Sequence, residues 1–364
     1  DADARLGLGR LAQSEGETGL ALHFLGSAVA RDDGHTEAAM EFARVLFAAG
    51  RVGEAIGVLR RLIVHRPSPP VLFFLGELLL ASGDFAAGLS EFEWRRGGAP
   101  ALPSPAELAG RTVVLVAEGD AGVLMRLLRF VPMLKAAGAT GIRVAGADEL
   151  APLLAWVDGL DGVGEPGEGD LVLPIMSVPA LLGLSTDDLP VSRPYLTVDP
   201  VAVTNAARAF AHLDGFRVGF ALDGISAADA AALTTISGAA FVALDAGAAA
   251  RFHTAWPLAA DQVGLERIAA ALPNLDVVVA LASSPIVALA GAMGRPTFVI
   301  GPDRDDWLWL ERDGRSPWFP TTRLFRRQAG EERGAPLLRL TAALASFVAG
   351  DRAIPYRGDP APAD

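Results

Sequence analysis

The sequence predicts a stack of paired α-helices followed by two α/β lobes, each built on a parallel sheet. Glycine-bearing turns recur about every 34 residues in the first hundred positions, and beyond position 110 short β-branched runs alternate with helical segments. At 364 residues the chain exceeds what one hydrophobic core usually fills, so several domains are expected. The predicted boundaries are repeats over 1–98, a linker over 99–110, a first lobe over 111–200, a second lobe over 201–350 and a tail over 351–364.

Composition argues against several classes of function. The net charge of −12 is opposite in sign to that of a nucleic-acid-binding surface. Cysteine is absent, which excludes disulfides, thiolate metal sites and cysteine nucleophiles. The five histidines are scattered without a helical i, i+4 pair, so we expect no metal site. No apolar run reaches the ~18 residues of a membrane span, and the first residues show no signal-peptide pattern, so we expect a cytoplasmic protein.

The first hundred residues carry an internal repeat. Gly16, Gly50 and Gly83 lie in aligned turns, 34 and 33 residues apart. Small residues recur in phase where two helices would touch, at Gly9, Ala43 and Gly76 and again at Ala21, Ala55 and Gly88. This period and pattern resemble about three tetratricopeptide repeats. Such a stack either caps the domain that follows or offers a groove to a protein or peptide partner, and both readings stay open.

Segments 112–116, 141–144 and 170–174 read as strands of the first lobe, with helices at 124–137 and 148–157 between them. The helix at 124–137 is expected to be amphipathic, with Arg126, Arg129 and Lys135 on its polar side. The second lobe repeats this alternation. Its predicted strands are 216–220, 240–244, 275–279 and 297–300, and its predicted helices are 203–213, 227–236, 265–271, 286–293 and 336–348. Two similar lobes facing each other across a cleft indicate a GT-B-like pair of Rossmann-type lobes.

A phosphate-binding turn is predicted between the strand at 275–279 and the helix at 286–293. Ser283, Ser284 and Pro285 supply an N-cap serine and a proline for the first helical turn. The backbone N–H groups of such a turn, up to Ile286, point at the mouth of the sheet, where α/β proteins bind phosphate. Ser283, Ser284 and Ile286 are therefore candidate ligand-binding residues.

Several segments together resemble one family. The repeats end in Glu-x-Glu-Trp-Arg (91–95), and the second lobe carries Leu-Ala-Gly-Ala-Met-Gly-Arg-Pro (289–296), Asp-Trp-x-Trp (306–309), Ser-Pro-Trp-x-Pro (316–320) and Thr-Arg-Leu-Phe-Arg (322–326). These motifs resemble bacterial repeat-linked glycosyltransferases related to the family 9 heptosyltransferases, with an architecture like that of O-GlcNAc transferases. The resemblance implies a nucleotide-sugar donor and no metal. It also suggests Gly219 and Trp307 as ligand contacts, although Trp307, Trp309 and Trp318 are more often packing residues.

The departures from the family lie at its reactive positions. The first-lobe turn keeps Glu118 and Gly122, but Val123 stands where the family carries the aspartate that acts as base, and Asp120 lies three residues earlier. The donor-site turn lacks the family's acidic residue and histidine, and the second lobe has gained two aspartates at its expected mouth, Asp223 and Asp245.

Because no metal is implied, fixed cations must offset the charge that develops on a leaving diphosphate. Arg323 and Arg326 are the candidates, unless they pair with Asp303, Asp305 or Glu311. The favoured hypothesis is a protein that has lost catalysis and acts by binding. The alternative is an active metal-independent transferase with Asp120 or Glu118 as base, in which the turn from Ser283 to Ile286, together with Arg323, holds the diphosphate.

Overall fold

A computed structural model describes residues 1–98, 102–189, 193–226, 231–251, 256–257, 264–301, 306–311, 316–328, 331–332 and 334–350. The predicted tail at 351–364 lies outside these residues. The chain forms two compact units. The first comprises residues 1–103, 179–188 and 304–310, and the second comprises 104–178, 189–303 and 311–364.

The first unit is a stack of three helical hairpins. Its helices are α1 (Ala2–Ser14), α2 (Thr18–Arg31), α3 (Thr36–Ala48), α4 (Val52–His65), α5 (Pro69–Ala81) and α6 (Phe85–Phe92), followed by a 3-10 turn at Glu93–Arg96. The three predicted turn glycines all have left-handed backbone angles, with φ of 79° at Gly16, 76° at Gly50 and 89° at Gly83. The small residues stand where paired helices meet, because a Cβ added at Gly76 would lie 2.5 Å from the backbone nitrogen of Phe92. The helical repeat prediction is confirmed.

An aromatic segment from late in the sequence completes this unit. A 3-10 turn at Trp307–Trp309 belongs with the hairpins, and the Trp307 side chain is only 4% exposed. Its ring lies 5.5 Å from Phe92 and 6.2 Å from Phe85, both edge-on and both on α6. The sequence motif places Trp307 beside the second lobe, whereas in the structure it packs on the last hairpin.

The second unit begins with a three-stranded parallel sheet of β1 (Thr112–Val116), β2 (Gly141–Ala145) and β3 (Leu171–Pro174) in the order β2-β1-β3. Its helices are α7 (Ala121–Leu127), α8 (Val131–Ala136) and α9 (Ala151–Leu154). The next helix, α10 (Val178–Leu181), begins at the last residue of this segment, and its residues from Pro179 onward belong to the first unit. The predicted helix at 124–137 is instead two helices joined by a 3-10 turn at Leu128–Phe130, because Pro132 favours a new helical start. The helix predicted at 148–157 is shorter than expected.

A six-stranded parallel sheet follows. Its strands are β4 (Phe216–Ala221), β5 (Ala239–Ala243), β6 (Trp256–Pro257), β7 (Val277–Leu281), β8 (Thr297–Ile300) and β9 (Thr322–Phe325), in the order β6-β5-β4-β7-β8-β9. Its helices are α11 (Pro200–Ala207), α12 (Ala246–Arg251), α13 (Leu265–Ala271), α14 (Pro285–Ala292) and α15 (Ala335–Ala349). The four predicted strands are present, while β6 and β9 were not predicted. Residues 227–230 of the predicted helix at 227–236 lie outside the described chain, and its remainder holds a 3-10 turn at Leu233–Thr235.

The α/β core is built from continuous apolar strands, as buried parallel sheets require. Val218, Phe220, Val279 and Phe298 are almost fully buried and form one cluster with Phe347 of α15. Among the helices of the described chain, none combines the length and apolarity needed to cross a bilayer.

Candidate functional site

A cavity of about 310 Å³ opens at the carboxyl ends of β4, β5 and β7. This is the edge at which open parallel sheets bind ligands. Its described lining residues are Ala221, Asp223, Leu244, Asp245, Leu265, Ile268, Leu281, Ser283, Ser284, Pro285 and Ile286. The predicted turn residues Ser283, Ser284 and Ile286 therefore meet in one place. The two apolar residues from α13, Leu265 and Ile268, have no sequence feature that marks them as cavity residues.

The charged residues of the cavity are acidic. Asp245 caps α12 by accepting the backbone N–H of Ala248 at 2.5 Å, and its other oxygen faces the Asp223 N–H at 3.3 Å. The carboxylate of Asp223 lies against Gly247, where a Cβ would collide with it. Among the described residues that line the cavity, none is basic. The electrostatic field of these side chains opposes a diphosphate.

One feature of the cavity favours an anion. α14 starts at its wall, with Pro285 in the first turn and the Ser284 hydroxyl accepting the Ile286 N–H at 3.4 Å. The positive end of the helix dipole points into the site. The cavity therefore contains one helix N-terminus, which attracts anions, and two carboxylates, which repel them.

The candidate bases of the first lobe are both engaged with backbone. Oε2 of Glu118 accepts the Met176 N–H at 3.1 Å, and Oδ1 of Asp120 accepts the Val123 N–H at 2.9 Å as the cap of α7. Asp120 is exposed and Glu118 is half-buried. Each carboxylate has a structural role in the turn that holds it.

The two lobes touch at this turn. A Cβ added at Gly122 would lie 3.4 Å from Cα of Pro285, at the start of α14. At the other end of α14, the Ala292 carbonyl accepts the N–H groups of Tyr195 at 2.9 Å and Leu196 at 3.3 Å. Gly122 therefore contacts the opposite lobe directly, and the predicted cleft is closed along α14.

The prediction that Arg126 and Arg129 lie on a polar helix face is wrong, because each is only 4% exposed. The Arg129 guanidinium lies 5.5 Å from the Trp318 ring, 5.2 Å from Phe319 and 6.0 Å from Tyr195. None of its three nitrogens has a hydrogen-bond partner in the described chain. Aromatic faces, which attract a cation, take the place of water, and burial lowers the pKa of Arg129.

The remaining candidates lie apart from the cavity. Gly219 is buried within β4, where a Cβ would meet side chains of Leu244 and Leu275. Arg323 is exposed, with its guanidinium 5.2 Å from the Phe325 ring. Arg326 forms the predicted ion pair with Glu311 at 3.1 Å, while Asp303 and Asp305 lie outside the described residues. Trp307 is packed in the repeat unit, and Trp309 and Trp318 are buried as well.

On the repeat unit, the first helices of the hairpins carry a ladder of ion pairs. Arg10 of α1 pairs with Glu37 at 2.5 Å and with Glu41 at 3.5 Å, both on α3, and Arg44 pairs with Glu41 at 3.0 Å. The charges of this face largely neutralise one another. A partner that binds here must exchange these ion pairs for its own.

The ladder ends at Glu77 of α5. Burial, reinforced by the carboxylate of Asp306 and opposed by Arg44, raises the pKa of Glu77 to about 7. The sequence offered no signal for this group, because Asp306 is 229 positions away in the chain.

Replacing Glu77 with glutamine should reduce the pH dependence of the free energy of unfolding between pH 4.5 and 7. An unfolded glutamate titrates near pH 4.5, so between pH 4.5 and 7 the folded state retains a proton that the unfolded state has lost. The wild-type protein should therefore lose stability as pH rises through this window, and the variant should lose less. Melting midpoints at pH 5, 6, 7 and 8 test this. Glu54→Gln, at an exposed position of α4, is the matched control and should leave the pH dependence between pH 4.5 and 7 unchanged. Equal pH profiles for wild type and Glu77→Gln would contradict the prediction.

Known proteins resemble both units. Residues 12–71 match the tetratricopeptide repeat family. No match to a curated protein was found. The glycosyl transferase family 9 structure from Veillonella parvula DSM 2008 superposes with a TM-score of 0.50 at 12% identity, covering 67% of this chain and 98% of the other.

Two further structures match. E. coli ADP-heptose LPS heptosyltransferase II gives a TM-score of 0.46 at 15% identity, over 67% of this chain and 100% of the other. A mutant O-GlcNAc transferase from Thermobaculum terrenum gives 0.27 at 15% identity, over 97% of this chain and 93% of the other. The Veillonella superposition, at its low identity, shows the fold. Together with the repeat match it confirms the predicted fold class, helical repeats joined to a GT-B-like α/β pair.

Proposed function

We propose that this chain is a glycosyltransferase-fold protein that has lost catalysis and works by binding, with a protein or peptide partner on its repeats. The observation that carries the proposal is the acidic cavity at the donor position. Asp223 and Asp245 stand at the sheet edge where a diphosphate would lie, and the described lining includes no cation to offset them. In a partly desolvated site, like charges repel more strongly than in water.

The closed contact between the lobes supports the same proposal. Transfer requires an acceptor hydroxyl and a donor to meet between the first-lobe turn and the start of α14. Those two segments are so close that a Cβ added at Gly122 would be in van der Waals contact with Pro285. The ligand class that suits the cavity is an uncharged or cationic small molecule with hydroxyl groups, because carboxylates accept hydrogen bonds from such groups.

The second candidate is an active metal-independent transferase that moves sugar from a nucleotide-sugar donor to a protein or glycan. The α14 N-terminus favours it, because the positive end of the helix dipole at Ser284 to Ile286 attracts an anion. In that case Asp120 or Glu118 is the base, and the start of α14 holds the diphosphate; Arg323, the predicted cation, is not among the described residues that line the cavity. Asp120→Asn should then abolish turnover with the fold intact, and unchanged turnover would remove Asp120 from the role.

Thermal unfolding against millimolar UDP, GDP, ADP, CDP and their sugars separates the two candidates. A ligand at 100 times its dissociation constant stabilises a fold by ~2.7 kcal/mol, which moves a melting midpoint by several degrees. We expect no shift with any of these compounds and no release of nucleotide. A shift with one nucleotide, together with release of that nucleotide from its sugar, would overturn the proposal and identify the donor.

Asp223→Lys tests the electrostatic argument directly. The change replaces a negative charge in the cavity with a positive one, so nucleoside diphosphates should now raise the melting midpoint. Asp214→Lys makes the same charge change at an exposed position in the same lobe. Nucleoside diphosphates should leave the melting midpoint of this variant unchanged. If both variants respond equally, net charge and not the cavity is responsible.

A further inference from the structure

The cavity at the sheet edge carries polar groups from three neighbouring strands. Asp245, Asp223 and Ser283 each lie two residues beyond the end of a strand, which is β5, β4 and β7 respectively. These strands are adjacent in the order β5-β4-β7. Because adjacent strands lie about 4.8 Å apart, groups that attract cations and groups that attract anions stand side by side at this edge.

The acidic side of the cavity is held in place by the fold. Oδ2 of Asp245 lies 3.3 Å from the backbone nitrogen of Asp223, so the two aspartates are neighbours. The Asp223 carboxylate rests on Gly247, where an added Cβ would lie 2.1 Å from Oδ1. Asp223 is exposed and Asp245 is half-buried. An ammonium group donates three charge-assisted hydrogen bonds, so it is the group that these two carboxylates favour.

The β7 side of the cavity favours the opposite charge. The Ser284 oxygen accepts the Ile286 N–H at 3.4 Å, and the hydroxyl hydrogen can still be donated. Ser283 adds a second hydroxyl, and the positive end of the α14 dipole lies at the same wall. A single carboxylate suits these donors, because it carries less charge than a diphosphate and is repelled less by the aspartates one strand away.

The rest of the described wall is largely aliphatic, with Leu244, Leu265, Ile268 and Leu281 as its larger side chains. These residues favour an alkyl group over a polar one. The volume of about 310 Å³ is at the lower end of the range for ligand pockets, roughly 300–1,000 Å³. A metabolite the size of an amino acid therefore matches the cavity better than a nucleotide sugar does.

We propose that this cavity binds an aliphatic α-amino acid in its zwitterionic form. The ammonium bonds to the carboxylate of Asp223 beside Asp245, and the carboxylate of the ligand lies with the hydroxyls of Ser283 and Ser284 at the start of α14. The alkyl side chain packs on the aliphatic wall. An α-amino acid has both charges on groups that share one carbon atom, which matches opposite charges on neighbouring strands.

This inference rests on the proposed function, because it requires that no diphosphate occupies this edge of the sheet. It also narrows the class of ligand. A zwitterion has no net charge, and its ammonium takes the place of hydroxyl groups as the donor to the carboxylates.

The probe is L-leucine. Thermal unfolding of the full chain with millimolar L-leucine should show a saturable rise of the melting midpoint by a few degrees. Three analogues separate the interactions: isoamylamine lacks the carboxylate, isocaproate lacks the ammonium, and ε-aminocaproate is an isomer of leucine with its charges at opposite ends of the chain. Each should bind roughly tenfold more weakly or worse, the loss expected for one charge-assisted hydrogen bond.

Asp223→Asn should weaken L-leucine binding by roughly tenfold or more, because it removes the charge beside the ammonium and keeps the size of the side chain. Asp214→Asn, the matched control at an exposed position in the same lobe, should bind as the wild type does. Both altered side chains are exposed, so unchanged melting midpoints without ligand will show that the variants fold. The analogue series on the wild-type protein tests the inference without any variant.

Three results would overturn the inference: no saturable shift with L-leucine, equal binding of L-leucine and isoamylamine, or equal binding of L-leucine by Asp223→Asn and the wild type. If nucleoside diphosphates also leave the melting midpoint unchanged, the amino-acid ligand fails while the proposed loss of catalysis stands. A shift with a nucleoside diphosphate, together with its release from a sugar, would overturn the proposed function and this inference with it.

Discussion

Trp318→Ala should lower the free energy of unfolding of the α/β unit by roughly 3–5 kcal/mol, the range for truncating a buried large aromatic side chain. Trp318 is fully buried, with Phe130 edge-on at 6.1 Å and the Arg129 guanidinium at 5.5 Å. The change leaves a cavity and removes one aromatic face from a cation that has no hydrogen-bond partner in the described chain. Urea denaturation followed by circular dichroism measures the loss.

Trp156→Ala is the matched control, because Trp156 is half-buried in the same unit and should cost about half as much. The cation–π contribution is isolated by a double-mutant cycle with Arg129→Met. We expect a coupling of about 1–2 kcal/mol, because a desolvated cation over an aromatic face is stronger than an exposed one. Additive losses would show that Arg129 gains nothing from the ring. A loss below about 1 kcal/mol for Trp318→Ala alone would contradict the packing itself.

The fold was predictable because local patterns and global packing agree. Each predicted strand is a short, mostly apolar run, and such runs are buried where they form a parallel sheet covered on both faces. The repeats were predictable because one period fixed both the turn glycines and the packing positions. The prediction for Arg126 and Arg129 was wrong because an amphipathic pattern assigns arginine to the solvent-exposed face of a helix. In the structure the rings of Tyr195, Trp318 and Phe319 surround the Arg129 guanidinium in place of water. A local sequence pattern cannot predict contacts between residues so far apart in the chain.

The candidate site was predictable to the same extent. Ser283 to Ile286 follow a strand and begin a helix, and Asp223 and Asp245 follow two neighbouring strands, so parallel topology alone brings them to one edge. The closeness of Gly122 to Pro285 could not be predicted, because neither turn has a sequence feature that indicates the other as its neighbour. The docking of Trp307 on α6 was hidden for the same reason, because its motif indicated a family and not a packing partner. Non-local contacts of this kind have no periodic signature.

Gly76→Ala should lower the free energy of unfolding of the repeat unit by about 2–3 kcal/mol, although alanine is the better helix former by about 1 kcal/mol. A Cβ at this position would meet backbone atoms of α6, at 2.5 Å from N of Phe92, 2.8 Å from C of Glu91 and 2.9 Å from Cα of Phe92. Backbone cannot move aside by changing a rotamer, so α5 and α6 must separate. Urea denaturation followed by circular dichroism measures the loss.

Two other glycines of the same unit make the test specific. At Gly53 in α4 nothing lies within 4 Å of an added Cβ, so Gly53→Ala should stabilise the unit by about 0.5–1 kcal/mol through helix propensity alone. At Gly9, the equivalent of Gly76 in the first hairpin, the closest atoms belong to the Leu25 side chain, so Gly9→Ala should fall between the two. If Gly76→Ala were as well tolerated as Gly53→Ala, the backbones of α5 and α6 could not lie as close together as the distances from the added Cβ indicate. The ordered series would instead show that one repeat position is constrained by backbone in the last hairpin and by a side chain in the first. That difference fits a last hairpin that is fixed from both sides, by α4 and by Trp307.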